Sequence, residues 1–264
     1  MNPLPSPVMA PPSSLHDIAM VALDAGRLAM EAGASGRSLG ELVEEIAHGL
    51  GAERVDLRIG YASLAITIGI GEEGVTRMRQ VGPHGVNQRL DLALRALASR
   101  VSGGELDLAA TRAALERLPR ETTRHPAWLV ALAVGIACAA FGRLLGVDWR
   151  GTLPVFLAST LGQVVRGYVV ARGANVFLAV NAVAFSSAAL GGWGARCAGS
   201  HAVDVAIAAS VLLLVPGVEA LNALNDIMEG KPTLGSARIV SVAVVVVFVT
   251  VGIWLSKVLL GEAP

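Results

Sequence analysis

Glu219, Asn222 and Asp226 follow directly on an apolar run, Leu212-Leu213-Leu214-Val215, that closes with Pro216-Gly217. Proline has no amide hydrogen and glycine tolerates unusual dihedrals, so the pair predicts a helix break that leaves backbone carbonyls free to line a cavity. At roughly 100° per residue the three polar side chains fall within about 60° of one another on the continuing helix, with Leu221, Leu224 and Met228 opposite. Ionisable groups within a membrane segment cost several kcal/mol unless they face protein or water, so this face predicts a substrate or proton path. On a surface helix the same acids would be ordinary solvated charges, and the sequence leaves both placements of the segment after Pro216 open.

Weaker candidates lie upstream. Ser159, Thr160 and Gln163 fall in one apolar stretch, Asn181, Ser186 and Ser187 in the next. Hydroxyls in such helices usually bond their own backbone or join neighbouring helices. Arg166, with Arg172 beyond it, can snorkel to an interface or pair with an anionic substrate. Arg58, Arg77 and Arg79 read as a solvated face of a small sheet. His48, His84, His125 and His201 are scattered, with no nucleophile or carboxylate at catalytic spacing. Gly69 to Gly74 lacks the Lys-Ser/Thr and following helix of a phosphate loop. Cys138 and Cys197 have no second ligand at metal spacing and read as lone thiols. The expectation is no enzyme, no metal and no cofactor.

Two kinds of element must position these groups. The chain has 264 residues, 53% hydrophobic and 16% charged, with a mean hydropathy of +0.60, more apolar than soluble domains tolerate. With a net charge of zero, no basic face advertises nucleic-acid binding. Most charges lie in residues 1 to 126. There, after a Pro-rich tail over 1–14 expected to be disordered, helical spacing predicts helices over 15–30 and 38–48. Alternation predicts strands at Val55 to Ile59, Leu64 to Ile70 and Val75 to Val81. Apolar stripes then predict two more helices, one from Leu90 to Val101 and one from Leu108 that Pro119 closes. Residues 15–120 thus read as a small soluble α+β domain and 121–264 as a membrane all-α bundle of about five spans: 128–145, 153–171, 174–191, 202–216 and 239–258.

No signal peptide is visible, so the N-terminal domain is expected in the cytoplasm. Five spans then put Arg117, Arg120, Arg124, Arg166, Arg172, Lys231 and Arg238 inside and Arg143, Arg150, Arg196 and Lys257 outside, in line with the positive-inside rule.

The run Trp128 to Leu132 with Gly135, Cys138 and Phe141, the stretch Phe156 to Thr160, and above all Ala208-Ala209-Ser210-Val211-Leu212-Leu213-Leu214-Val215-Pro216-Gly217 followed by Asn222 and Asp226, resemble the threonine/serine exporter family. Within it the chain resembles the YjjP-type subunit, over about residues 20 to 260. Pro216, Gly217, Asn222 and Asp226 match the family's pattern, whereas Glu219 stands where the family is expected to have no acid. The resemblance implies a partner, a smaller YjjB-type membrane subunit, and export of small polar metabolites: threonine and serine, or dicarboxylates such as succinate.

The sequence therefore predicts a subunit of a secondary exporter in the bacterial inner (plasma) membrane, in which Asp226, with Glu219, titrates or orients substrate beside Asn222. Ser159, Thr160, Arg166 and Asn181 are the secondary candidates. Expected partners are the YjjB-type subunit, the lipid bilayer, the substrate and a second copy of the chain. The alternative is a membrane-anchored sensor whose cytoplasmic domain binds a ligand.

Overall fold

The computed structural model describes residues 14–122, 125–173 and 175–261. The expected Pro-rich tail lies almost wholly outside them, as do Arg124 and Ala174. The chain divides into two compact units, the first comprising residues 1–124 and 221–237, the second 125–220 and 238–264.

In the first unit, α1 (Leu15–Glu31) begins where the Ser14 side chain accepts the amide of Asp17, and Ile18, Ala22, Ala25 and Ala29 form its buried face. Gly33, with φ of +95°, turns the chain. Serine 35 then caps α2 (Gly36–Gly49), which buries Leu39, Leu42, Val43 and Ile46. Strands β1 (Arg54–Ile59), β2 (Ser63–Ile70) and β3 (Glu73–Gln80) make an antiparallel sheet in the order β1-β2-β3. Its register sets Leu57 opposite Ile66 and Ile66 opposite Arg77. Leu64, Ile66 and Ile68 point into the same core as α1 and α2. Helices α3 (Gln88–Ser102) and α4 (Leu108–Glu121) complete the layer, and Leu94, Leu97 and Val101 are buried. Proline 119 lies inside the last turn of α4 instead of ending it.

The arginines of β3 do not share a face with Arg58. Register places Arg77 and Arg79 beside Ile66 and Leu64 on the helix-facing side. There Arg79 grips the Asp24 carboxylate of α1 with two hydrogen bonds of 2.8 and 2.9 Å, and Arg77 donates to His16 at 2.7 Å. A period of two decides the face, and the expected solvated patch counted arginines of both parities.

In the second unit, α5 (Ala127–Leu144), α6 (Trp149–Ala171), α7 (Val176–Cys197) and α10 (Pro232–Leu260, whose first turns belong to the first unit) are long and apolar enough to cross a membrane. Between α7 and α10, the short α8 (Val203–Ser210), a 3-10 turn (Leu212–Leu214) and α9 (Gly217–Met228) make a pair bent by 66°. The long helices extend past the sequence-derived bounds for identifiable reasons. Asp148 caps α6 by accepting the amide of Gly151. Pro232 opens α10, where a missing amide costs nothing. Helix α7 runs on through Gly191 and Gly192 because these are contact notches: a Cβ on Gly191 would overlap the Ser210 hydroxyl, and one on Gly192 would lie 2.6 Å from Ile207.

One end of this unit is tied by polar bonds. The Asp148 carboxylate accepts from Ser200 at 2.7 Å, Gly151 at 2.8 Å and His201 at 2.9 Å, and it joins the α5–α6 turn to the α7–α8 turn. Arg196 donates to the Leu260 carbonyl at 2.8 Å, and Lys257 pairs with Asp204 at 2.6 Å. The amide of His201, then the Ser200 hydroxyl and the amide of Gly151, hold the Asp148 carboxyl down to about 2.

Candidate functional site

The break in the pair α8–α9 is built by local chemistry. After Ser210 the helix tightens into the 3-10 turn, Val215 becomes extended at φ −66° and ψ 120°, and Pro216 supplies no amide. Gly217 donates back to the Val215 carbonyl at 2.9 Å, and Ala220 to that of Pro216 at 3.0 Å, which starts α9. The Ser210 carbonyl at the break accepts the Ser159 hydroxyl of α6 at 3.2 Å. A buried carbonyl deprived of its donor costs about 1–3 kcal/mol, so Ser159 stabilises the break as well as joining two helices.

Ser159, Ser187 and Ser210, from α6, α7 and α8, are all fully buried. The Ser210 hydroxyl turns back to the Ala206 carbonyl at 2.8 Å, while the Ser187 hydroxyl is buried without a hydrogen-bond partner. Glycine 162 makes room for Ser187, since a Cβ there would overlap its hydroxyl. The Cys138 thiol of α5 lies against the Ser159 hydroxyl and the Leu213 backbone. A compact group of small polar side chains thus surrounds the broken segment.

The polar face of α9 divides between the units. Glu219, in the first turn after the break, belongs to the second unit; it is half-buried and its Oε1 is inaccessible to solvent. Asn222 and Asp226 belong to the first unit. Asn222 Nδ2 donates to the Gly33 carbonyl at 2.9 Å. Asp226 is fully buried, and its Oδ1 accepts the amide of Gly36, the first residue of α2, at 2.8 Å. Arg37 pairs with Glu229 at 3.0 Å, and Leu234 is buried in the core of the first unit.

Two of the remaining secondary candidates bond within their own helix or to a neighbouring one. The Thr160 hydroxyl returns to the Phe156 carbonyl at 2.7 Å, Asn181 donates to the Phe248 carbonyl of α10 at 2.9 Å, and Arg166 is half-buried near the end of α6. Arg172 stacks over Tyr168 at 4.5 Å. Among the described residues no group of His, Cys, Asp or Glu is placed to hold a metal ion. Gly36 is not singled out by the sequence, Ser210 enters it only within the run Ala208 to Gly217, and Arg238 only as one of the inside cations. Arg238 carried a signal, a cation in an otherwise apolar run, and it is 2% exposed. Gly36 carried none, because its role rests on Asp226, 190 positions away.

Four helices long and apolar enough to cross a membrane, with a further helix pair bent at a Pro-Gly pair among buried hydroxyls, mark a multi-pass membrane protein. The family model described as "Putative threonine/serine exporter" matches residues 20–260, and the chain belongs to that family. It is 25% identical over 245 residues to "Probable succinate transporter subunit YjjP" of Escherichia coli (strain K12), covering 92% of this chain and 95% of that protein. It is 26% identical over 233 residues to the protein of the same name from Klebsiella aerogenes, covering 88% and 90%. No solved structure matches the chain.

Proposed function

We propose that the chain is one subunit of a secondary transporter that exports small polar metabolites across the bacterial inner membrane, together with a smaller YjjB-type subunit. The observation that carries this reading is the helix break at Pro216-Gly217, where α8 and α9 are bent by 66°, with Ser159, Ser187 and Ser210 buried. A polar solute crossing apolar helices needs hydrogen-bonding groups at depth, and a discontinuous helix with small hydroxyls offers them without a fixed charge. On this reading the path runs past the break, and Glu219, in the first turn of α9, sets preference among solutes by its charge. The substrates are threonine- or serine-type amino acids, or dicarboxylates; the names of the two relatives support succinate among the latter. The N-terminal domain lies in the cytoplasm, and the end that carries Asp148, Ser200 and Lys257 faces outward. Family membership supports a carrier over an enzyme and does not favour the anchored sensor.

The test is a metabolite-export profile of cells that carry this chain, the partner subunit, both or neither. Release of threonine, serine or succinate should rise when both are present. Identical profiles in all four strains would contradict the proposal.

A further inference from the structure

We infer that the corner between α1 and α2 is a clamp that positions α9, and that Asp226 acts in it as a remote N-cap of α2, not as a proton carrier. The inference rests on the exporter reading for its consequence, though its geometry stands alone. Helix α2 has no acid in its own first turn, although the amides and dipole of a helix start favour a negative group there. Asp226 supplies it from the far end of the chain: Oδ1 accepts the Gly36 amide at 2.8 Å, fully buried. Ser35 accepts the neighbouring amide of Ser38 at 3.3 Å, so the two caps divide the free donors between them.

The second grip is at Gly33. Its carbonyl accepts Asn222 at 2.9 Å, its φ is +95°, and a Cβ on it would lie 2.6 Å from the Gly85 carbonyl oxygen, so only glycine fits. Asn222 and Asp226 are four residues apart on one face of α9. Just past that helix Glu229 pairs with Arg37, and Leu234 plugs into the domain core. Helix α9 is continuous from Gly217 to Met228. Its last two turns are therefore held against the α1–α2 corner. Asn222 and Asp226 are thus positioning residues for α9.

Three variants of the full chain, expressed with the partner subunit, separate the roles: Asp226→Asn, Asp226→Ala and Gly36→Ala. Asparagine keeps the accepting oxygen and loses the charge. Alanine at 36 favours helix over glycine, yet its Cβ would meet Asp226 Oδ1 at 2.6 Å, so it attacks the clamp without weakening α2. The readouts are efflux of preloaded labelled succinate and, separately, threonine over a range of pH, protein level in the membrane, and hydrogen exchange of the purified chain. Asp226→Asn should stay within about twofold of wild type with an unchanged pH profile, while Asp226→Ala and Gly36→Ala lose roughly tenfold at unchanged protein level. In both alanine variants the amides of Gly36 and residues 221–228 should exchange faster. Asp226→Asn as inactive as Asp226→Ala would make the charge essential and overturn the inference, as would unchanged exchange in Gly36→Ala. If wild type exports neither probe, the exporter reading fails, and the exchange measurement still decides the clamp.

Discussion

Asp148 shows how single side chains define one end of the membrane unit. Its carboxyl is held at about 2, below its ordinary 3.8, by the amides of His201 and Gly151 and the Ser200 hydroxyl. The folded value is the lower one, so the tether contributes above about pH 4 and is lost as pH falls through about 2. In detergent, Asp148→Asn should melt below wild type near neutral pH, and the two curves should converge as pH falls through that window. A gap that persists at the acid end would show that Asp148 acts by something other than its charge. Within the membrane unit, Ser159 and Ser187 were legible as polar residues in apolar runs, yet not their parts. The Ser210 carbonyl that Ser159 serves is a backbone group of another helix, and no spacing announces it.

Helices announce their ends more clearly than their neighbours. Pro216-Gly217 predicted the break because proline removes an amide, and the break is there between Leu214 and Gly217. The end of α7 was less legible: Gly191 and Gly192 look like an interruption by composition, whereas they are notches that admit Ser210 and Ile207. The polar stripe expected on α9 divides in the fold, Glu219 in one unit and Asn222 and Asp226 in the other, and the sequence alone does not say that the latter two meet the α1–α2 corner. That contact joins segments about 190 residues apart, beyond any local periodicity. Because the break depends on one missing amide, Pro216→Ala should let the helix run straighter and lower efflux by roughly tenfold or more, with the protein still inserted. Full efflux from that variant would detach the break from the transport path.

At the scale of the whole chain, composition separated a charged N-terminal stretch from an apolar one, and the fold has a small three-stranded sheet in the former and the long apolar helices in the latter. The sequence did not disclose that residues 221–237 leave the membrane unit and complete the N-terminal one, since hydropathy measures what a segment avoids and not what it touches. The proposed sidedness has a direct check in the native cysteines. Cys197, at the end of α7 near the Asp148 tether, is exposed, whereas Cys138 is buried. A membrane-impermeant maleimide should label intact spheroplasts carrying the wild-type chain and should fail with Cys197→Ser. Labelling only after the membrane is opened would invert the topology.

If this chain forms half of a carrier, reconstitution with the other half should restore transport. The purified chain and its YjjB-type partner, together and singly, would be placed in liposomes preloaded with succinate, threonine or serine, and exchange for the labelled solute measured. Saturable exchange of at least one of these solutes should appear only when both subunits are present, and Pro216→Ala should weaken it. Exchange no faster than in protein-free liposomes, with both subunits folded and inserted, would contradict the proposal.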